Sequence, residues 1–266
     1  MHKFKELFGH KPIIAMVHLE ALPGTPLYQG SMEAIVERAW RDLQILQEAG
    51  VSAVMFGNEN DRPYELSVNP ASVAAMAYVV GRLREEIRVP FGVNVLWDPM
   101  ASMALAAATG AGFVREVFTG LYGSDMGLWA GRAAEALRYR RLLGREDLFL
   151  LYNVSAEFAS PLDSRSLVER ARSAVFSSLA DAVLVSGPMT GEGARLEHLR
   201  EVKAALPTIP VLANTGVRHE TVADVLEVAD GAIVGTALKR EGHTWNEVDP
   251  ERVQQFMAIV RRARGS

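Results

Sequence analysis

Val211-Leu-Ala-Asn-Thr-Gly216 and, one helix later, Asp230-Gly-Ala-Ile-Val-Gly-Thr-Ala-Leu-Lys239 are the stretches on which the reading of this chain turns. Each is a short apolar run that stops abruptly at glycine and small hydroxyl or amide residues, and each leads into a helical pattern. Glycine allows a backbone to approach a ligand closely, and the N–H groups of a following helical turn favour an anion. In an eight-stranded parallel barrel, the loops after strands seven and eight commonly grip a phosphate. The two turns predict such a grip here, provided the rest of the chain supplies six more strands.

Working outward, apolar runs suited to strands occur at Ile13–Leu19, Val51–Phe56, Phe91–Trp97, Phe113–Phe118, Leu148–Val154, Ala182–Ser186, Val211–Ala213 and Gly231–Gly235. Between them, Met32–Ala49, Ala71–Ile87, Ser164–Ser178, Ala194–Leu206 and Glu220–Val228 carry apolar residues at three- and four-residue spacing, which predicts helices. Asn69-Pro70, Asp98-Pro99 and Asp249-Pro250 each place a capping side chain before a proline suited to the first helical position. Alternating strands and helices imply a parallel sheet, and eight units in one chain favour an α/β fold of the closed (β/α)8 type. An open doubly wound sheet is the alternative, but no Gly-x-Gly-x-x-Gly follows the first strand. The reading is one barrel domain over 1–266, with 1–12 as a capping segment whose helix, Phe4–Phe8, lies on the barrel floor.

Composition sets outer limits. A chain of 266 residues is long enough to bury a full core without staples. The absence of cysteine excludes disulfides, thiolate metal sites and a thiol nucleophile. A net charge of −4 gives no electrostatic case for nucleic acid or an anionic membrane. No signal peptide or bilayer-spanning run is legible, so a soluble cytoplasmic protein is expected.

Connections from helix to strand are tight, whereas those from strand to helix are long and rich in glycine or proline: Glu20–Gly30, Gly57–Asn69, Thr119–Gly131 and Gly187–Gly193. Long ordered loops are usually functional, and barrel active sites lie at strand C-termini. The Thr119–Gly131 and Gly187–Gly193 loops are expected to act as lids. The polar residues at strand ends are the candidates: His18, Asn58 with Glu59, Asn94 with Asp98, Glu116, Asn153 with Glu157, Ser186, Asn214 with Thr215, and Thr236 with Lys239. Glu116 is read as the inward-pointing member of an apolar strand, and Asp98 reads equally as a helix cap. Carboxylates at Asp98, Glu116 and Glu157 converging on one mouth would raise a pKa, as a general acid or base needs, or share a divalent cation. Ser186-Gly187, Gly216 and Gly235-Thr236 are expected to hold the anion. No other cofactor is evident.

Only five lysines stand against 23 arginines, and Lys239 alone follows a strand end. It lies past the strand, as a phosphate counter-charge or a solvated helix residue, which disfavours Schiff-base chemistry. No zinc-binding His pair and no Gly-x-Ser-x-Gly is present.

Ala15-Met-Val-His-Leu19 with Ala21-Leu-Pro-Gly24, Phe91-Gly-Val-Asn-Val-Leu96, Phe118-Thr-Gly-Leu-Tyr-Gly-Ser-Asp125, Val185-Ser-Gly-Pro-Met-Thr-Gly191 and Ala229-Asp-Gly-Ala-Ile-Val-Gly-Thr236 together resemble the BtpA/SgcQ family along nearly the whole chain. The resemblance implies a phosphate-binding barrel whose members are associated with photosystem I biogenesis or with sugar-uptake genes. Met55-Phe-Gly-Asn-Glu59 and Val211-Leu-Ala-Asn-Thr-Gly-Val217 are similar to the SgcQ branch. In the BtpA branch the second strand ends in Glu-Asn and the fifth reads Asp-Val-His-Val-Lys-His. Here those places hold Gly57-Asn58 and Asn153-Val-Ser-Ala-Glu157-Phe158, so chemistry resting on that lysine and those histidines does not carry over.

Three functions compete. The first is an enzyme acting on a small phosphorylated metabolite, of the sugar-phosphate isomerase, epimerase or lyase type. Glu116 or Glu157 would serve as base, with His18 and Asn94 polarising the substrate. The second is a non-catalytic assembly or regulatory factor, and the third a phosphoribosyl or nucleoside hydrolase or transferase. Homo-oligomerisation is compatible with each.

Overall fold

Helix α1 (His2–Phe8) precedes β1 (Ile13–His18), α2 (Met32–Glu48), β2 (Ala53–Gly57), α3 (Pro70–Leu83), β3 (Phe91–Asn94), α4 (Pro99–Thr109) and β4 (Phe113–Glu116). There follow β5 (Leu121–Ser124), β6 (Gly127–Ala130), α5 (Ala133–Leu142), β7 (Phe149–Asn153), β8 (Ala159–Pro161), α6 (Leu167–Ser178) and β9 (Ala182–Ser186). Helix α7 (Leu196–Ala205), β10 (Val211–Asn214), α8 (Val222–Val228), β11 (Gly231–Val234) and α9 (Pro250–Arg264) complete the chain. The structure is a computed structural model and describes residues 1–265. Eight strands close into a parallel barrel in the order β1-β11-β10-β9-β7-β4-β3-β2. This is the (β/α)8 fold, with each expected strand in place.

The capping signals set the helix starts. Asn69 Oδ1 accepts from Ser72 N at 3.1 Å, and Asp249 Oδ1 accepts from Glu251 N at 2.9 Å. Two apolar shells then form. Side chains on the outward faces of the strands, such as Val54, Val93 and Val114, pack against the helices. The inward set, including Ile14, Met55, Phe113, Phe149, Leu184, Leu212 and Ile233, fills the barrel. Phe4 and Phe8 of α1 close its floor, the Phe8 ring lying 5.0 Å from that of Phe113. Among the described residues, no helix is long and apolar enough to cross a membrane.

The structure corrects the expectation of a glycine-rich loop at Thr119–Gly131. β5 and β6 form a hairpin there, and β5 also pairs with β8 to give a three-stranded antiparallel sheet over the mouth. Its inner face is anchored by Tyr122 and Trp129, cross-strand partners with rings 5.8 Å apart. Aromatic cross-strand pairs of this kind stabilise a hairpin. Helix α5 carries no apolar stripe legible in sequence, because its fully buried residues are only Ala133 and Ala136.

Candidate active site

Strand geometry decides which polar side chains enter the barrel. Side chains alternate between faces, so the residue two places after an interior apolar side chain also points inward. Following Met16, Phe113, Leu151, Leu184 and Leu212, that rule places His18, Arg115, Asn153, Ser186 and Asn214 in one polar layer above the apolar filling. Asn94 joins them from β3. All six are buried. Two other strands contribute glycine to the layer, and both are needed for space. A Cβ on Gly57 would stand 2.5 Å from Glu59 Oε2, and one on Gly235 would stand 2.8 Å from His18 Cε1.

The guanidinium of Arg115 organises this layer. It donates to Asn94 Oδ1 at 2.9 Å and to Glu157 Oε1 at 2.5 Å. Glu157 Oε1 also accepts from Asn214 Nδ2 at 3.0 Å, Ser186 Oγ at 3.2 Å and Asn153 Nδ2 at 3.5 Å. The buried carboxylate is therefore charge-paired and hydrogen-bonded, which is the condition for keeping an ion out of water.

Opposite this cluster, His18 Nε2 lies 3.6 Å from Glu59 Oε1. Burial holds the imidazole well below its ordinary pKa, and the positive charge of Lys239 adds to the effect. Burial also raises the Glu59 carboxyl to about 7, against the opposing pull of Arg115 and Lys239. Near neutral pH the pair thus holds a neutral imidazole beside a carboxyl group that gains or loses a proton easily. Among the described residues Glu59 Oε2 and Arg115 Nε are buried with no hydrogen-bond partner, while the His18 ring faces the backbone of Thr244. With His18 these residues line a common small cavity. Tyr64, Trp97 and Phe158 roof it, with the Tyr64 and Trp97 rings edge to face at 4.5 Å.

Several expected site residues lie elsewhere. Glu116 borders the layer without entering it: Asn94 Nδ2 donates to its Oε1 at 2.5 Å and Ser102 Oγ of α4 donates to the same oxygen at 3.0 Å, and burial raises its pKa to about 8. Asp98 is a helix cap: Oδ1 accepts from Met100 N and Ala101 N, and Oδ2 from Val68 N. Asn58 braces two loops, donating to Asp61 Oδ2 and accepting from Leu96 N. Lys239 is 1% exposed and paired with Asp42 Oδ2 of α2 at 2.9 Å, so it is an internal ion pair rather than a phosphate ligand. The carboxylates of Asp98, Glu116 and Glu157 consequently do not converge. Among the described residues no three His, Cys, Asp or Glu side chains are grouped to hold a metal ion. In their place the fold brings in Arg115 and Glu59. Glu59 was already legible as a polar residue at a strand end, whereas Arg115, inside a short strand apolar on both faces, was not.

The two glycine turns meet beside the polar layer. Thr215 and Gly216 both have positive φ, 65° and 58°. Thr215 Oγ1 accepts from Gly187 N at 3.0 Å, tying the turn to the 187–193 loop. A Cβ on Gly216 would lie 2.0 Å from Gly193 N, so only glycine lets that loop close over the turn. Gly216, Arg218, Gly235, Thr236 and Arg252 line a hollow that adjoins the cavity of His18 and Glu59.

A model of the BtpA family matches residues 9–262. The chain is 45% identical to the sgc region protein SgcQ of Escherichia coli, over 99% of this chain and 100% of that one. It is 35% identical to the photosystem I biogenesis protein BtpA of Synechocystis sp., over 98% of this chain and 91% of that one. Among solved structures it superposes on (S)-3-O-geranylgeranylglyceryl phosphate synthase from Thermoplasma acidophilum in complex with its substrate sn-glycerol-1-phosphate. The TM-score is 0.62 at 14% identity, covering 98% of this chain and 97% of that one. At that identity the likeness is one of fold.

Proposed function

The chain belongs to the BtpA family, and from that premise we propose that it is an enzyme of small phosphorylated metabolites, of the sugar-phosphate isomerase, epimerase or lyase class. The observation that carries the reading is one cavity lined by His18, Glu59 and Arg115, in which Glu59 Oε2 and Arg115 Nε are buried without a hydrogen-bond partner among the described residues. Leaving such a group unsatisfied costs roughly 1–3 kcal/mol, and a polar ligand removes that cost. The phosphate is assigned to the hollow at Gly216 and Gly235-Thr236. There the opening N–H groups of the short 3-10 helix Thr236–Leu238 have no intrahelical acceptor, and Arg218 and Arg252 supply positive charge. Ser186 and Gly187 serve the site through Glu157 and Thr215, whose side chains they hydrogen-bond. With the phosphate anchored, the carbon skeleton reaches the barrel axis. Glu59, with a pKa of about 7, removes and returns a proton, while Arg115 and neutral His18 donate hydrogen bonds to the oxygen that gains charge. The substrate-bound phosphate of the geranylgeranylglyceryl phosphate synthase, on the same fold, supports placing an anion in such a barrel.

The test is a thermal-shift series with inorganic phosphate, glycerol phosphate and pentose and hexose phosphates, followed by proton–deuterium exchange of each binder in D2O. A ligand at about 100 times its Kd stabilises by about 2.7 kcal/mol. Arg218→Ala should weaken the phosphorylated binders. Glu59→Gln should keep binding and stop exchange. Binding without any exchange would instead favour a ligand-sensing role, and no binding would remove the phosphate assignment.

A further inference from the structure

A second, larger cavity opens beside the first. Tyr64, Phe158, Thr190, Gly191 and Thr236 line both. Arg218, Gly191 and Thr236 in turn line both this cavity and the phosphate hollow. Its chemistry differs from that of the polar layer. The guanidinium of Arg62, from the loop after β2, lies 3.8 Å from the ring centroid of Trp245, from the segment after β11. Among the described residues Arg62 Nε is buried without a hydrogen-bond partner. Phe158 is 37% exposed on the rim between the two cavities, its ring 6.1 Å from that of Tyr64. Stacked guanidinium and aromatic faces are suited to a planar ring, and a free guanidinium N–H is suited to an acceptor on that ring's edge. A bare pentose phosphate carries no such ring to place there.

We infer that the ligand carries a planar heteroaromatic ring as well as its phosphate, as a nucleoside 5′-monophosphate or another phosphoribosylated ring does, and that Arg62, Phe158 and Trp245 form the subsite for the ring. The inference rests on the phosphate reading above and narrows it: phosphate at Thr236 and Arg218, sugar over His18 and Glu59, ring beside Trp245.

Isothermal titration with ribose 5-phosphate, UMP and AMP separates the two claims. The nucleotides are expected to bind about 10-fold more tightly than ribose 5-phosphate, as stacking on aromatic side chains provides. Trp245→Ala and Arg62→Met, at residues that line the second cavity and not the first, should each remove most of that advantage and leave ribose 5-phosphate affinity unchanged. Ribose 5-phosphate binding as tightly as both nucleotides overturns the ring subsite and leaves the phosphate reading standing. Equal losses for all three ligands in both variants overturn it as well. Failure of all three to bind overturns both claims.

Discussion

Glu59 Oε1 stands 3.6 Å from His18 Nε2, and each side chain is seated over a glycine of the neighbouring strand layer, Gly57 beneath the carboxyl and Gly235 beneath the imidazole. The pairing is a consequence of missing side chains: a methyl group at either glycine would occupy the space of an acid–base group. The proton of this pair is accessible near neutral pH because burial acts in opposite senses on the two groups, raising the acid and lowering the base.

The pH dependence of stability follows from that burial. A carboxyl raised from 4.5 to about 7 contributes stability that is complete below 4.5 and is lost as pH rises through 7. Glu59→Gln cannot titrate, so unfolding by urea between pH 5 and 8 should show a flatter pH profile than wild type, by up to about 3 kcal/mol. Glu116, raised to about 8, acts in an overlapping window, and Glu116→Gln should flatten the remainder. A wild-type slope in the Glu59→Gln variant would assign the titration elsewhere.

Arg115→Met removes the cation facing Glu157 and the donor to Asn94 in one step. Breaking a buried pair from one side costs about 3–5 kcal/mol, read as a shift of the urea midpoint. Arg115→Lys keeps the charge but lacks the planar fork that reaches both partners, so an intermediate loss is expected. A change below about 1 kcal/mol for Arg115→Met would mean that Glu157 does not depend on it.

Lys239→Met should separate structure from binding. It leaves Asp42 buried beside Val248 N without its ammonium partner but still 3.5 Å from Arg38 Nε, so the expected cost is at or below the lower end of about 3–5 kcal/mol. Phosphate affinity, measured where the variant remains folded, should be unchanged. A selective loss of phosphate affinity would return Lys239 to the anion site.

Gly216→Ala forces a Cβ to within 2.0 Å of Gly193 N at a residue whose φ is 58°. Hydrogen exchange over 187–193 should accelerate in this variant, with the 121–130 hairpin unaffected because its partner is β8. The same loop in wild type should slow its exchange when a phosphorylated ligand binds, as expected of a lid. Exchange that is identical with and without a bound ligand would leave the loop as fixed scaffold.

By itself, the sequence determined the eight strands and most helices, since each strand is a run of apolar residues bounded by turn or cap signals such as Asn69, Asp98 and Asp249. It also located the glycine turns at 214–216 and 235–236, because a strand-ending glycine before a helix is a local property. It did not determine which of Arg115 and Glu116 enters the barrel. Strands of a closed parallel barrel are apolar on both faces, so a four-residue run carries no clear alternation, and parity is set only when the neighbouring strands fix the register. Lys239 was illegible for another reason: its partner Asp42 lies 197 residues away, and only barrel closure through β1 and β11 brings α2 against the last turn. The pairing of His18 with Glu59 has the same origin, because two adjacent strands must pair before one glycine layer can leave room for both side chains.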